Sequence, residues 1–165
     1  MQKPHRKIKK FIIAFSRETA TGKTSILDFL SAIFGQDKVL FSTSLDDFFN
    51  AQNFEHLGKL FIIIDDIEKA TQKQSDRLKS LITSNSIKVK KLYQDPITLP
   101  SYSDLVATSN EREPTFVSEN NRRSELVAIN PELKGDSQER VAFWDKFYEE
   151  VEDAQVCGAW FEYLA

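Results

Sequence analysis

The sequence predicts an α/β domain built on a mostly parallel sheet. Three observations point to it. Short, wholly apolar runs alternate with segments of helical periodicity through the first two thirds of the chain. The runs are continuous rather than alternating, as strands buried on both faces are. Charged or polar residues then follow directly on those runs, at the strand ends where α/β sheets bind ligands.

Taken in order, Phe11–Phe15 is the first strand candidate. A polar turn and Thr21-Gly22-Lys23-Thr24-Ser25 follow it. Ser25–Phe34 then places Ile26, Leu27, Phe29, Leu30, Ile33 and Phe34 at helical spacing, and Gly35 is a natural stop. Lys38–Phe41 predicts a short strand, and Ser44 is placed to cap a helix through Leu45, Phe48 and Phe49. Leu60–Ile64 reads as a fully buried strand, and Thr71–Thr83 as a helix with Leu78, Leu81 and Ile82 inward. Ser86–Tyr93 alternates, Asp95-Pro96 marks a turn, and Ile97–Leu99 returns as the second arm of a hairpin. Asp104–Thr108 and Ser124–Ile129 complete the strands. Gly135-Asp136-Ser137 opens a helix carrying Val141, Phe143, Trp144, Phe147, Tyr148 and Val151. Ala154–Leu164 is a final amphipathic piece with Trp160, Phe161 and Tyr163.

At 165 residues, 41% hydrophobic and 28% charged, the chain has the size and composition of one globular domain. The net charge of −3 gives no global attraction to nucleic acid, so any such binding needs local basic patches. One cysteine, Cys157, excludes an intrachain disulfide and predicts a buried thiol; with two histidines it leaves no zinc set. No apolar run spans a bilayer. The basic segment 1–10 lacks a signal-peptide cleavage pattern, which predicts a cytoplasmic or nuclear setting.

The chemistry gathers at the predicted strand ends. A strand, a loop ending Gly-Lys-Thr and a helix aim backbone N–H groups at phosphate oxygens. Lys23 then faces the β/γ-phosphates and the Thr24 hydroxyl a Mg²⁺ ion. The full pattern wants Gly at Arg17, so an ordinary strand–turn–helix with an exposed Lys fits the same residues. Asp65-Asp66 ends the Leu60–Ile64 run. Two carboxylates there suit Mg²⁺ (Asp65) and orientation of an attacking water (Asp66), or simple capping of a turn. Asn110 follows Asp104–Thr108; its amide can bond both a water and a γ-phosphate oxygen, and Asn is also a common turn residue. Arg122 and Arg123 suit the charge on a transferring phosphoryl group, or a surface ion pair. On the hairpin, Lys88, Lys90, Lys91 and Tyr93 are the tools of single-strand binding, or a solvated edge blunted by Lys.

The order of these pieces, T-G-K-T-S, I-I-I-D-D, I-K-V-K-K, V-A-T-S-N and N-R-R, resembles a superfamily 3 helicase, the AAA+ class of viral and mobile-element replication proteins. It is most similar to the helicase part of virus- and phage-type primase–helicases. The resemblance covers Phe11 to Leu164. It implies a P-loop NTPase fold of AAA+ type: a mostly parallel five-stranded sheet flanked by helices, with a β-hairpin inserted before the sensor strand. It divides the chain into a basic segment, 1–10, and an ATPase domain, 11–165.

The resemblance further implies that Thr19, Ala20, Thr21, Gly22, Lys23, Thr24 and Ser25 form the Walker A loop around ATP. Asp65 and Asp66 match the Walker B end, with Thr24 and Asp65 on Mg²⁺. Asn110 falls on the sensor asparagine, and Arg122 or Arg123 on the arginine finger. Lys88, Lys90, Lys91 and Tyr93 fall on the hairpin that tracks single-stranded DNA. The implied partners are that DNA, identical subunits in a hexameric ring and a primase domain or primase protein, with no membrane. Arg17 and Ala20 stand where Gly is common, and Asp66 where the second acid is usually Glu. The expected activity is ATP-driven translocation on single-stranded DNA. The rivals are a domain that binds nucleotide or nucleic acid without efficient hydrolysis, and another P-loop ATPase such as a replication initiator or packaging motor.

Overall fold

The computed structural model describes residues 7–50, 53–89, 95–111, 122–135 and 137–164. Five strands form one sheet: β1 (Phe11–Phe15), β2 (Val39–Ser42), β3 (Phe61–Ile64), β6 (Asp104–Ser109) and β7 (Ser124–Ala128), in spatial order β2-β3-β6-β1-β7. Every pairing in it is parallel. Two strands, β4 (Ser86–Val89) and β5 (Ile97–Pro100), form a separate antiparallel pair inserted ahead of β6. The α/β fold and the inserted hairpin are therefore those the sequence predicts, and the main sheet is wholly rather than mostly parallel.

Both faces of the sheet are dry, which explains the unbroken apolar runs. Period-two alternation sends Phe11, Ile13, Ile62, Ile64, Leu105 and Ala107 to one face. There they meet Leu45 and Phe48 of α2 (Leu45–Asn50) and Leu78 and Ile82 of α3 (Gln72–Thr83). Ile63, Val106 and Val39 point the other way, onto Leu27 and Leu30 of α1 (Lys23–Phe34).

Local signals set the helix limits. Thr71 and Gln74 form a reciprocal capping box at the start of α3. The backbone N–H of Gly35, at φ 88°, bonds Ser31 O and closes α1. Outside α1 lie α4 (Gln138–Glu152) and α5 (Ala154–Leu164), joined to it through aromatic contacts such as Phe29–Trp160 (centroids 5.6 Å) and Phe29–Phe147 (6.3 Å). The Cys157 thiol is buried, as expected, and donates to Val151 O. Among the described residues no helix is long and apolar enough to cross a membrane.

His56 lies in a short 3₁₀ turn after α2, its ring stacked on Phe48 at 4.9 Å. It is 6% exposed, and burial lowers its pKa below the usual 6.5. The folded state therefore binds this proton less readily than the unfolded chain. Its contribution to stability is complete above the unfolded pKa and is lost as pH falls toward the folded one. In urea titrations at about pH 7 and about pH 5, we expect His56→Phe to lose less stability on acidification than the parent. Equal losses would remove His56 as the cause.

Candidate active site

A parallel sheet brings all its strand C-terminal ends to one edge, and β6 lies between β3 and β1. The loop after β1, the Asp65-Asp66 tip after β3 and Asn110 after β6 thus become neighbours. The loop is pinned to β6 by Ser16 N–H on Ser109 O, at 3.2 Å. Lys23 Nζ reaches back across it, donating to Glu18 O at 2.9 Å and Ser16 O at 3.3 Å, and onward to Asn110 Oδ1 at 2.5 Å. Asn110 Nδ2 donates to Asp66 Oδ1 at 2.7 Å. One ammonium, one amide and one carboxylate are thus linked in series across three strand ends.

A second link fixes the acidic tip. Thr108 Oγ1 donates to Asp65 Oδ1 at 2.5 Å and accepts from Asp66 N–H at 2.7 Å. Asp66 adopts φ 54°, a left-handed conformation that Asp tolerates better than most residues. Ser109 Oγ donates to Ile67 O and accepts from Glu111 N–H. The V-A-T-S-N run contains Thr108 and Ser109, to which sequence reasoning assigns no role. Polar residues closing an apolar strand were the signal available.

The start of α1 has the polarity that suits an anion. Gly22 precedes it at φ 82°, no side chain caps it, and its first turn holds no acid. Its first N–H groups have no partner within the helix. Thr21 Oγ1, in the same loop, is buried and meets no hydrogen-bond partner among the described residues. Arg17 is not among the positive-φ residues, so the position that the motif gives to Gly demands no glycine here; Ala20, at φ 55°, does hold a glycine-like conformation.

Trp144 of α4 shapes the other side of Gly22. A Cβ on Gly22 would lie 2.1 Å from the Trp144 ring. One turn on, Tyr148 shares a 2.7 Å hydrogen bond with Ser25 Oγ and donates to Asp28 at 3.4 Å. The Ser25 side chain is therefore buried against α4, while Thr24 is exposed and Thr19 stands on the exposed loop. Neither Trp144 nor Tyr148 could be tied to the loop from sequence, because more than a hundred residues separate them from it.

Arg122 and Arg123 are not brought to this cluster. They precede β7, and Arg123 O accepts from Phe11 N–H at the start of β1, so they occupy the opposite edge of the sheet. A five-residue strand, about 17 Å long, separates the two edges. Lys88 lies on β4. Lys90, Lys91 and Tyr93 fall outside the described residues.

The fold is an α/β domain on a parallel five-stranded sheet, with its polar cluster at the strand C-terminal ends. The chain belongs to the family of unknown function DUF5906, whose model matches residues 15–123. None of the curated protein sequences matches it. Among solved structures it is similar to the C-terminal region of NrS-1 in its apo form: TM-score 0.72, 18% identity, 90% of this chain and 36% of that one. It is also similar to JCV helicase bound to a small molecule: TM-score 0.50, 14% identity, 90% of this chain and 42% of that one. The chain thus spans well under half the length of either structure.

We expect Gly22→Ala to destabilise the protein by about 2–4 kcal/mol in urea titrations, from left-handed backbone strain plus overpacking against Trp144. In a Trp144→Ala background the same change should cost only the strain, about 1–2 kcal/mol. An equal cost in both backgrounds would mean that the ring does not confine Gly22.

Proposed function

We propose that residues 11–165 are the ATPase domain of a superfamily 3 helicase, preceded by the basic segment 1–10. In this reading it moves on single-stranded DNA as a hexameric ring of identical subunits, with a primase domain or protein as partner, in the cytoplasm or nucleus of a host cell. The observation that carries the proposal is the series Lys23–Asn110–Asp66. It joins a phosphate-loop lysine to a strand-end carboxylate through a neutral amide.

Bound ATP would sit on the N–H groups of Thr19–Ser25, with its phosphates at the uncapped start of α1. Lys23 would exchange its backbone acceptors, Ser16 O and Glu18 O, for β/γ-phosphate oxygens. Asp66 would orient the attacking water. Asn110, bonded to both, would feel any displacement of either. The hairpin β4–β5 joins the other end of its strand, so β6, six residues long, would be the link between the nucleotide state and Lys88. Arg122 or Arg123, at the far edge, would serve a neighbouring subunit's nucleotide.

Mg²⁺ fits the donor set. The Thr24 hydroxyl is exposed, and Asp65 is a hard oxygen ligand whose Oδ1 is already held by Thr108. Among the described residues no three His, Cys, Asp or Glu side chains form a cage, so phosphate oxygens and water would complete its shell. When bound, the ion supplies charge neutralisation on the phosphates.

A second reading, nucleotide binding without efficient turnover, draws on Asp66. Its carboxylate is one methylene shorter than the usual Glu, and a small misplacement of the water costs about 100-fold in rate. A related P-loop ATPase, such as a replication initiator or packaging motor, would show DNA-stimulated turnover with no strand separation.

ATP turnover measured with and without single-stranded DNA, alongside molecular mass in solution, tests the proposal. We expect stimulation by DNA in the oligomer and poor turnover in the monomer. Lys23→Ala should lower turnover by at least about 100-fold, and unchanged turnover would overturn the assignment. For the hairpin, replacing Lys90 and Lys91 together by Ala should weaken single-strand binding. It should also flatten the log–log salt slope by about 1.4, two phosphates at about 0.7 each. An unaltered slope would place the DNA elsewhere.

A further inference from the structure

On the opposite side of the sheet from α1, a cavity of about 260 Å³ lies between the end of α2, the His56 turn, α3 and β4. Its floor is aromatic, with Phe48 and Phe49 in contact at 5.1 Å. Its rim is cationic. The Arg77 guanidinium lies 4.1 Å over the Phe49 ring and spends one N–H on Phe49 O, which leaves four of its five donors. Lys88 enters from β4, and no acidic side chain is among the described residues that line the space.

His56 completes the wall. Both of its ring nitrogens are buried, and neither meets a hydrogen-bond partner among the described residues. A neutral imidazole carries one N–H donor, and leaving it unmet is costly. The hydroxyls of Ser80 and Ser86 add donors at the same rim, whereas that of Ser84 is spent on Ser86 O.

A helix C-terminus normally repels anions, and α3 ends here. That field is countered: Lys7 Nζ donates to Leu81 O at 2.8 Å and Ser84 O at 3.3 Å. Guanidinium, ammonium, imidazole and hydroxyl donors line the space while the Glu55 carboxylate, whose charge reaches His56, stays outside the described lining, a set that favours a multidentate oxyanion. The space is small for a drug-sized ligand and suits one group of a larger molecule.

We propose that this cavity is a phosphate-binding site, separate from the loop around Lys23, that takes the phosphate of a nucleic-acid strand or of a small phosphorylated ligand. It does not depend on the ATPase reading, since none of its residues belongs to the phosphate loop, although Lys88 is shared with the proposed DNA-binding hairpin. Phosphate oxygens would accept from Arg77, Lys88 and the rim hydroxyls of Ser80 and Ser86, and the His56 ring, buried in the wall, would sense the added charge.

The ring resonances of His56 report on it directly, in a His5→Gln chain where it is the single histidine. The probes are inorganic phosphate and an oligodeoxythymidylate with hydroxyl groups at both ends. We expect a saturable His56 shift with at least one probe, weakened at least tenfold by Arg77→Gln plus Lys88→Gln. Should the pair unfold the chain, Lys88→Gln alone is expected to weaken it severalfold. A response to the oligonucleotide alone assigns a strand phosphodiester, a response to phosphate alone a small phosphorylated ligand, and a response to both the shared group. Lys23→Ala should leave the His56 response in place, so failure here and failure of the ATPase reading are separable. No shift with either probe, or an undiminished affinity in the variants, overturns the site.

Discussion

Asn110 has no interchangeable substitute at the centre of this molecule. Its oxygen accepts from the Lys23 ammonium and its nitrogen donates to the Asp66 carboxylate. Reversing the amide would set donor against donor on one side and acceptor against acceptor on the other. An acid here would add a third carboxylate beside Asp65 and Asp66, and a base would repel Lys23. Only a neutral group with both polarities satisfies the two neighbours. It can do so because β6, buried from Leu105 to Ser109, holds the backbone before it rigid between β3 and β1.

The two faces of the sheet meet that edge differently. Beneath α2 and α3 the core is continuous and dry, so β3 and β6 end at fixed heights. Over α1 the cover is aromatic and looser: Trp144 rests on Gly22, Tyr148 on Ser25, while Trp160, Phe161 and Tyr163 stay substantially exposed. The loop after β1 is thus held from below by a strand and from the side by a ring. Gly22 is doubly constrained, by its backbone angle and by the space that Trp144 leaves.

What could be read from the sequence was what local physics decides. Leu60–Ile64 and Asp104–Thr108 were legible because strands buried on both faces need unbroken apolar runs. The hairpin was legible because alternation acts over a few residues. The Lys23, Asp66 and Asn110 cluster could be anticipated, because Asp66 and Asn110 follow strand ends, Lys23 opens the helix after a third strand, and a parallel sheet aligns those ends. Trp144 on Gly22 and His56 on Phe48 could not, since nothing local distinguishes an aromatic that packs on a helix from one that packs on a loop. The role of Thr108 was hidden for a related reason. A hydroxyl at a strand end looks the same whether it faces solvent or ties down two successive aspartates. Arg17 was misleading in the opposite sense: the pattern asks for Gly, but the chain passes through that position without the angle that only Gly favours.

These departures from the motif therefore do not weigh equally. Arg17 needs no left-handed angle, so the loop keeps its course without a Gly there. Ala20 and Asp66 both occupy left-handed backbone that costs a non-glycine residue about 1–2 kcal/mol, and such strain persists where surrounding bonds over-determine it. For Asp66 those bonds are clear: Thr108 holds its N–H and Asn110 its carboxylate. Under the proposed function, binding is thus a property of one chain. Turnover is not, because the paired arginines lie a strand's length away, at the edge where this chain's own phosphates cannot be. The charge that a transferring phosphoryl group requires would then arrive from the neighbouring subunit. The short Asp66 carboxylate, fixed rather than mobile, would set how well that shared site performs.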